Sequence, residues 1–414
     1  MQLVPKIFKD TSSILADNFA RAIISFLVLG IFARELTERD FANLTLWLTN
    51  VGLGAQVVVM GTNTLFFSRV LKNKKIIANF IAKIMLIRIA ILCVISIALS
   101  LAFIFLDDNI LFLFPMLLIA ALIIESTNIF KEEALIKGKS SKILLSGIGQ
   151  LLTALCCIGF LLYYQSWKLS YAILIIVFSR LVGATLYYEF ISIFSRNISR
   201  TLKINFSYHL NSVIFIRSAR LMISMLLCSL SFSLPLYYLS FIELHQNASF
   251  YGASMRLILL MFLVPSIFSN VLFLYYSSLF KLKVSYALFL IIFFSVVYFA
   301  IIIPFLIIFG EALFELVYGA QYIAAAQSFV LLSAVFLFHS LRAGYSKVLI
   351  SNGIDIVLIK QSILIFLVTL IMIVISNYFA LISLAFYSTL IGEFIGLIYV
   401  FRRRESRRAI IYSV

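Results

Sequence analysis

Stretches of about 20 mainly apolar residues recur along the whole chain, and they constrain its fold more than any other feature. Such stretches cross a bilayer as α-helices and are far longer than the strands of a membrane β-barrel. The composition agrees, since 63% of the 414 residues are hydrophobic and only 12% are charged. The sequence therefore predicts an all-α polytopic membrane protein. Twelve transmembrane helices are expected, at residues 13–33, 42–68, 77–106, 110–130, 143–164, 169–194, 209–240, 250–279, 285–309, 322–351, 357–377 and 380–401.

Lysine and arginine gather at one set of span ends, which predicts that both termini are cytoplasmic. That set includes the loops after spans two, four and six and the basic tail Arg402–Arg408, whereas the other set holds only Arg34, Arg39 and Lys168. The net charge of +16 follows mainly from this topology and favours anionic lipid headgroups as neighbours. Because the basic residues are scattered over short loops and form no single patch, the sequence does not favour a nucleic-acid partner.

The long cytoplasmic connection after the sixth span, residues 195–208, predicts a division into two six-helix lobes. Residues 1–200 would form the N-terminal lobe, and residues 201–414 the C-terminal lobe with the basic cytoplasmic tail. Transporters are often built from paired helix bundles with the binding site between them. The predicted architecture is therefore two lobes around a central cavity.

The cysteines and histidines show no pattern of a disulfide framework or a metal site. All four cysteines lie in apolar spans, where a free thiol behaves as a small hydrophobic group. The three histidines are isolated from one another and from cysteine, without the ligand spacing that zinc sites use. No metal and no other cofactor is expected.

Charged residues inside the predicted spans are mostly basic, which predicts that the cavity is cationic. A charge at the bilayer centre costs at least about 2.5 kcal/mol, so most of these side chains should face a partner or a wet cavity. The basic set is Arg21, Lys83, Arg88, Arg180, Arg217, Arg220, Arg256 and Arg342, and the acidic set is Asp17, Glu125, Glu189 and Glu393.

The seventh span contains two arginines within the stretch VIFIRSARLMISML, which begins at Val213. At about 100° per residue, Arg217, Arg220, Ser224 and Ser231 fall on one face of a helix. A polar stripe of this length favours a water-filled lumen. The alternative is an amphipathic entry segment whose arginines reach back to phosphate headgroups, and the sequence supports both interpretations equally.

Other spans repeat the pattern of aligned polar residues. Asp17, Arg21 and Ser25 share one face of span one, and Asp17 and Arg21 could form a structural ion pair there. In span ten the aligned residues are His339, Arg342 and Ser346, and in span eight Arg256 and Asn270 lie on similar sides.

Arginines from both halves would suit a multivalent anion, because the guanidinium fork matches phosphate oxygens bidentately. We predict that Arg21, Arg217, Arg220, Arg256 and Arg342 bind a substrate headgroup. The predicted polar lining of the cavity is Ser25, Ser224, Ser231, Asn270, His339 and Ser346.

Deep carboxylates could take up and release an ion as access to the cavity alternates. The candidates for this coupling to H⁺ or Na⁺ are Asp17, Glu125 and Glu393. Glu393 stands between two glycines in Gly392-Glu-Phe-Ile-Gly396, a pattern that also indicates close helix packing, which is the favoured interpretation there. No catalytic residues are predicted.

Three stretches resemble motifs of the Wzx-type O-antigen repeat-unit flippases, a polysaccharide-transporter branch of the multidrug/oligosaccharidyl-lipid/polysaccharide exporter superfamily. Phe32-Ala-Arg-Glu-Leu-Thr-Glu-Arg-Asp-Phe41, followed by Val51-Gly-Leu-Gly54, resembles the turn between the first two helices and the glycine in the second. Phe250-Tyr-Gly-Ala-Ser-Met-Arg-Leu257 is similar to the entry to helix eight. The most specific match is Leu316-Val-Tyr-Gly-Ala-Gln-Tyr-Ile-Ala-Ala-Ala326, which resembles the tyrosine-glycine-x-x-tyrosine turn before helix ten.

The resemblance implies a two-lobe, twelve-helix fold in a bacterial inner membrane. It implies movement of an undecaprenyl-diphosphate-linked oligosaccharide to the outer leaflet for O-antigen or lipopolysaccharide biosynthesis, by rocking of the lobes. Membrane lipids and other polysaccharide-assembly membrane proteins are the implied partners. Arg256 carries over as a headgroup contact by motif, and Arg21 by its place on the first helix.

Two other functions remain open at this point. A multidrug or cation exporter of the same superfamily would need a cavity rich in acids and aromatic rings, whereas here intramembrane bases outnumber acids. A membrane-bound polysaccharide polymerase would need an external loop with catalytic groups. The longest external segments expected, around residues 310–321 and 33–41, are too short to form such a site alone.

Overall fold

In the computed structural model, the described residues form helices joined by short turns. Those residues are 19, 22–24, 26–62, 84, 87–97, 118–125, 140–164, 167–186, 208–279, 284–351 and 354–402. The long helices are α1 (Glu38–Val59), α2 (Ser140–Tyr164), α3 (Leu169–Leu186), α4 (Tyr208–Phe241), α5 (His245–Leu279), α6 (Val284–Tyr318), α7 (Ala325–Ser351), α8 (Asp355–Tyr378) and α9 (Ile382–Arg402).

Eight helices among the described residues are long and apolar enough to cross a membrane. They include α1, α2 and all the helices from α4 to α9, and shorter apolar helices occupy Leu169–Thr185 and Ile87–Ile97. The chain is therefore an all-α, multi-pass membrane protein, as the apolar spans predicted. Prolines stand inside three of the helices, at Pro235, Pro265 and Pro304. Membrane helices tolerate proline because neighbouring groups satisfy the freed backbone.

The second predicted span, residues 42–68, is interrupted after Val59, where helix α1 ends. Thr62 is helical again, and residues 63–68 lie outside the described part of the chain. The cause of the interruption is a turn in which Met60 and Gly61 both have positive φ, at 50° and 62°. The left-handed conformation is suited to glycine and interrupts the helix, and periodicity alone does not reveal it.

The external segment expected around residues 310–321 is mostly helical. Helix α6 continues through it to Tyr318, with Glu311 and Glu315 exposed on its last turns. Gly319, at φ 96°, ends the helix and starts a short 3₁₀ turn at Ala320–Tyr322. The prediction of a loop was wrong because charged residues in the last turns of a long helix resemble a loop in hydropathy while retaining helical backbone.

The chain forms two compact units. The first comprises Met1–Val28 and Trp47–Met222, and the second comprises Leu29–Leu46 and Ile223–Val414. Within the second unit, α8 packs on α9, α6 packs on α7, and α7 also contacts α5 and α9. The segment Leu29–Leu46 joins the second unit although it lies early in the chain. The predicted lobe boundary at residue 200 stays a prediction.

We expect Gly61→Ala to destabilise the protein by about 1–3 kcal/mol. An added Cβ would lie 2.8 Å from the Cβ of Leu221, and the positive φ disfavours every residue with a side chain. Thermal unfolding of the purified protein in detergent measures the effect. The matched control is Gly52→Ala in α1, where an added Cβ meets nothing within 4 Å and no loss is expected. Equal melting temperatures for the two variants would contradict the prediction.

Candidate functional site

The second unit buries a three-residue ionisable group, which we call the Glu393 cluster: Glu393, Arg342 and His339. The Nε atom of Arg342 donates to Oε2 of Glu393 at 2.6 Å, and its Nη2 atom donates to Oε1 at 3.0 Å. His339 Nδ1 lies 3.1 Å from Oε1 of the same carboxylate. The side chains of Arg342 and Glu393 are only 6% and 1% exposed. The cluster is thus a bidentate buried ion pair with an imidazole at its edge.

Helix periodicity and two glycines bring the cluster together. His339 and Arg342 stand three residues apart on α7, so they project from the same face. Glu393 reaches them from α9, which packs closely on α8 at Gly392. A Cβ on Gly392 would lie 2.6 Å from Oγ1 of Thr369. Close packing at Gly392, the role favoured for the glycines, therefore goes together with the position of the Glu393 carboxylate.

The Nδ1 atom of His339 has two neighbours that require opposite protonation states. Arg342 Nη2 lies 2.9 Å from it and is always a donor, so this contact needs a bare, accepting Nδ1. Glu393 Oε1, at 3.1 Å, accepts only, so the other contact needs a protonated Nδ1. Both contacts cannot be favourable at once, and the proton on this nitrogen decides which one forms.

Aromatic rings enclose the imidazole. Phe232, Phe262 and Phe336 meet His339 edge to face, with ring centroids 5.0, 5.2 and 5.8 Å away. The side chain of His339 keeps 20% exposure, whereas that of Glu393 is only 1% exposed. A ring of phenylalanines around an ion pair lowers the local dielectric and strengthens each electrostatic contact in it.

Buried hydroxyl groups between α4 and α8 extend this polar interior. Ser224 and Ser362 are hydrogen-bonded through their hydroxyls at 2.7 Å, and the thiol of Cys228 lies 3.2 Å from Ser362 Oγ. Ser224, which the sequence predicts to line a cavity, lies in a buried contact between helices, with 8% exposure.

The polar stripe of the seventh span differs in burial along the length of α4. Ser231 is buried and donates to the Leu227 carbonyl of its own helix at 2.8 Å. Arg217 is half-buried, and Arg220 is exposed beside Phe215 and Ile216. The less buried arginines therefore precede the buried serines along the same face of α4.

Arg256, predicted from its motif to contact a headgroup, is bound to the backbone of α1. Its Nη2 atom donates to the Thr45 carbonyl at 3.0 Å. Gly252, one turn earlier, lies against the Thr45 side chain. Ser346 lies on the same side of α7 as Arg342, and its hydroxyl donates to the Arg342 carbonyl at 3.0 Å.

The first unit contains two buried or partly buried arginines that the sequence could not connect to partners. Arg180 forms an ion pair with Glu125 at 2.8 Å, with side-chain exposures of 22% and 17%. Arg88 is fully buried and donates to the Thr62 hydroxyl at 2.8 Å. The residues of these pairs lie 55 and 26 positions apart, and no spacing pattern links them.

Some predicted site residues lie outside the described part of the chain. These are Asp17, Arg21, Ser25 and the side chain of Asn270. Among the described residues, no group of three or more His, Cys, Asp or Glu side chains could hold a metal ion. The substrate-binding and ion-coupling roles of all the residues named above stay predictions.

Solved structures of transporters match this chain over nearly its full length. An outward-facing conformation of a multidrug resistance MATE family transporter of the MOP superfamily matches with a TM-score of 0.67 and 14% identity, covering 99% of this chain and 96% of that one. The chain has the MATE transporter fold. An inward-facing conformation of a transporter with the same description matches at a TM-score of 0.64 and 14% identity, covering 95% and 96%.

A eukaryotic relative of this fold, the MATE transporter AtDTX14, matches at a TM-score of 0.62 with 13% identity, covering 99% of both chains. No protein-family model matches the sequence, and no curated protein matches it. The expected all-α transporter fold is thus confirmed at the level of structure. At such low identity the likeness extends to the fold alone.

Proposed function

We propose that this protein is an alternating-access flippase for a lipid-linked oligosaccharide, in which a cationic cavity carries the diphosphate headgroup while the lipid tail stays in the bilayer. The proposed substrate is an undecaprenyl-diphosphate-linked repeat unit of O-antigen or a similar polysaccharide. The proposed location is the bacterial inner membrane, with both termini cytoplasmic. Outward-facing and inward-facing transporters share this fold, which supports an alternating cycle.

The charge balance inside the membrane is the observation that supports an anionic substrate. Both described intramembrane acids of the predicted set are bound to arginines, Glu125 to Arg180 and Glu393 to Arg342. Their negative charge is therefore already compensated within the protein. Arg217, which is half-buried, and Arg220, which is exposed, add positive charge in the first half of α4. Guanidinium groups in that position favour a multivalent anion over a cation.

The Glu393 cluster supports coupling of transport to an ion. Its proton-dependent contacts at His339 Nδ1 offer two arrangements of Arg342, and a two-state element of this kind can link ion binding to a change of conformation. We propose H⁺ as the coupling ion at this cluster, because Arg342 already occupies both carboxylate oxygens that a Na⁺ ion would use.

A multidrug exporter is the second candidate function. Phe232, Phe262 and Phe336 surround His339 next to a carboxylate, and aromatic rings with an acid form the kind of site that binds organic cations. The descriptions of two similar structures name multidrug resistance. In this alternative, the drug would displace Arg342 from Glu393.

We expect Arg217→Ala combined with Arg220→Ala to abolish transport of the lipid-linked substrate without changing the amount of protein in the membrane. The reason is that two guanidiniums that neutralise a diphosphate would be lost together. The assay is complementation in a bacterial strain that lacks its own repeat-unit flippase but contains this protein's sugar pathway, with surface polysaccharide as the readout. Arg39→Ala, which removes an exposed arginine near the start of α1, is the matched control.

The outcomes separate the candidates. Surface polysaccharide restored by the wild type and Arg39→Ala but lost in the double variant supports the flippase. Full restoration by the double variant would assign Arg217 and Arg220 to headgroup lipids at the membrane interface. Wild-type protein that fails to complement but raises resistance to cationic dyes would favour the exporter.

A further inference from the structure

The Cys228 thiol lies beside the Glu393 cluster and takes no part in the proton-dependent contacts described at His339. It stands on α4 and is only 7% exposed, which makes it the one buried thiol among the four cysteines. Phe232, one turn later on the same face of α4, meets the His339 ring at a centroid distance of 5.0 Å. The thiol also has a side-chain hydrogen-bonding interaction with the Arg342 guanidinium.

Three hydrogen bonds run from this thiol to the backbone of α8. Ser224 donates to the Leu358 carbonyl at 3.3 Å, and this bond uses its single hydroxyl hydrogen. In the 2.7 Å contact between Ser224 and Ser362, the donor must therefore be Ser362. The hydrogen of Ser362 is then used as well, so the Cys228 S–H is the donor in its 3.2 Å contact with Ser362. The sulfur consequently presents its lone pairs to Arg342.

The direction of these hydrogen bonds suits a cation at the sulfur end. We call the series Cys228–Ser362–Ser224 the thiol chain. Every hydrogen in it points away from Arg342, so the acceptor end of each group faces the guanidinium. A thiol sulfur is a weak acceptor, but hydrogen bonds in a chain polarise one another, so donation of its own hydrogen makes the sulfur a better one. The thiol chain therefore stabilises positive charge at Arg342.

Arg342 needs such an acceptor when His339 takes up a proton. A protonated Nδ1 donates to Oε1 of Glu393 and opposes the 2.9 Å contact with Arg342 Nη2. The 2.6 Å bond from Arg342 Nε to Oε2 of Glu393 is not part of this competition. The guanidinium can therefore turn about that bond, with Nη2 leaving the imidazole, and the Cys228 sulfur is an acceptor for the freed N–H group.

We propose that Cys228 is a positioning residue, which holds the Arg342 guanidinium in the arrangement adopted when His339 Nδ1 carries a proton. Without this acceptor, the freed N–H group would be left unpaired in a buried interior, which costs more free energy than an ordinary hydrogen bond contributes. Ser362 and Ser224 act through Cys228 by fixing the direction of its S–H bond. The inference rests on the proton coupling proposed for the Glu393 cluster and is independent of the transported substrate.

The charged and titratable groups around Arg342 come from three helices. They are Glu393 on α9, Cys228 on α4, and His339 and Lys347 on α7 itself, of which Lys347 interacts with His339. The polar neighbour on α8, Ser362, does not titrate, and α5 presents the ring of Phe262 to the imidazole. Arg342 keeps its charge at every accessible pH, and histidine is the side chain that ordinarily titrates near neutrality. The pH response of Arg342 is therefore assigned to His339.

The S–H stretching vibration of Cys228 tests the proposal without any need for transport, because it absorbs in an infrared window free of other protein bands. In a variant with Cys93, Cys156 and Cys157 replaced by serine, Cys228 is the only thiol. Spectra are recorded in proteoliposomes from about pH 8 to about pH 4, a range wider than that in which histidines usually titrate. The band should lie below the frequency of a thiol without a hydrogen bond, and Ser362→Ala should raise it.

On acidification, the Cys228 band should shift further to lower frequency in one step. The reason is that a sulfur that accepts the Arg342 N–H becomes a stronger donor to Ser362. His339→Gln should abolish this shift. The matched control keeps Cys157, a half-buried thiol in α2, as the only cysteine, and its band should not respond.

A transport assay in proteoliposomes extends the test from the thiol to the coupling. Cys228→Ala should lose about fivefold of the response to a pH gradient, at the lower end of typical coupling between sites. Cys228→Ser keeps a donor and an acceptor at this position and should retain the response. Ser233→Ala is the matched control, since it removes another buried polar group of α4, one that donates to the Ser229 carbonyl at 2.8 Å.

Three results would overturn the proposal. A Cys228 band at the frequency of a thiol without a hydrogen bond would show that the thiol chain does not form. A band that does not change with pH, or that shifts equally in His339→Gln, would remove the link between the thiol and the imidazole. A full response to the pH gradient in Cys228→Ala would leave the thiol with a packing role alone.

Failure of the proposed function gives a different result. If the wild type does not complement while the Cys228 band still shifts in a His339-dependent way, the positioning role stands and the flippase proposal fails. If a Na⁺ gradient drives transport while the band shifts in the same way, the positioning role again stands and the coupling to H⁺ fails.

Discussion

Glu393→Leu should destabilise the protein by about 3–5 kcal/mol, because it leaves the buried guanidinium of Arg342 without its counter-charge. Among the described residues, Glu393 is the only acid within 4 Å of the Arg342 guanidinium, with contacts at 2.6 and 3.0 Å. Arg342→Met should destabilise the protein by a similar amount, because it leaves the buried carboxylate of Glu393 without a counter-charge. The double variant Glu393→Leu/Arg342→Met should regain most of the loss, since well-packed apolar groups often replace a buried pair at little cost.

A double-mutant cycle on thermal or denaturant unfolding in detergent measures this prediction. The matched control is Glu315→Leu, which removes an exposed carboxylate near the end of α6 and should change stability little. If each single variant of the cluster unfolds like Glu315→Leu, the ion pair contributes nothing to the fold. If the double variant is as unstable as the sum of the singles, the two side chains are not coupled.

In this cycle, the double variant should recover stability without recovering transport. The double variant keeps a folded second unit but has no ionisable group facing His339 from α9, so we expect it to lose complementation. A merely structural ion pair would instead allow the apolar double variant to function. The comparison therefore distinguishes the packing role predicted for Gly392-Glu-Phe-Ile-Gly396 from the coupling role proposed for Glu393.

Helical periodicity correctly placed His339, Arg342 and Ser346 on one side of α7, because neighbours three and four residues apart depend only on local geometry. It could not identify Glu393 as their partner. That contact joins residues 51 positions apart and depends on how α9 packs beside α7. The two glycines flanking Glu393 indicated close packing but not the helix that would be packed against.

The polar stripe of α4 shows a second limit of prediction from helical periodicity. Phase placed Ser224 near Arg217 and Arg220, yet the serine is buried against Ser362 and Arg220 is exposed. Helical phase does not distinguish positions along the helix axis, so residues of one polar face can differ in burial from one turn to the next. Hydropathy also could not distinguish the last turns of α6 from a loop, because the exposed Glu311 and Glu315 lie there.

Replacing His339 with glutamine should uncouple transport from the proton gradient while leaving the protein folded. Protonation of Nδ1 favours the contact to Glu393 Oε1 and opposes the one to Arg342 Nη2, so proton uptake loosens one of the bonds that hold Arg342. Loss of the proton from Nδ1 restores the contact with Arg342 Nη2. A glutamine has polar atoms of both kinds but does not titrate, so it fixes one arrangement.

The measurement is substrate movement in proteoliposomes under an imposed pH gradient, together with proton flux reported by an enclosed dye. We expect the wild type to respond to the gradient and His339→Gln to lose at least about tenfold of that response, a difference of about 1.4 kcal/mol in coupling. His245→Gln, at the start of α5 and away from the cluster, is the matched control and should behave as the wild type.

Proton flux that persists in His339→Gln would place the coupling elsewhere. Wild-type transport driven by a Na⁺ gradient at constant pH would replace H⁺ with Na⁺, in which case the ion must displace Arg342 from Glu393 during each cycle.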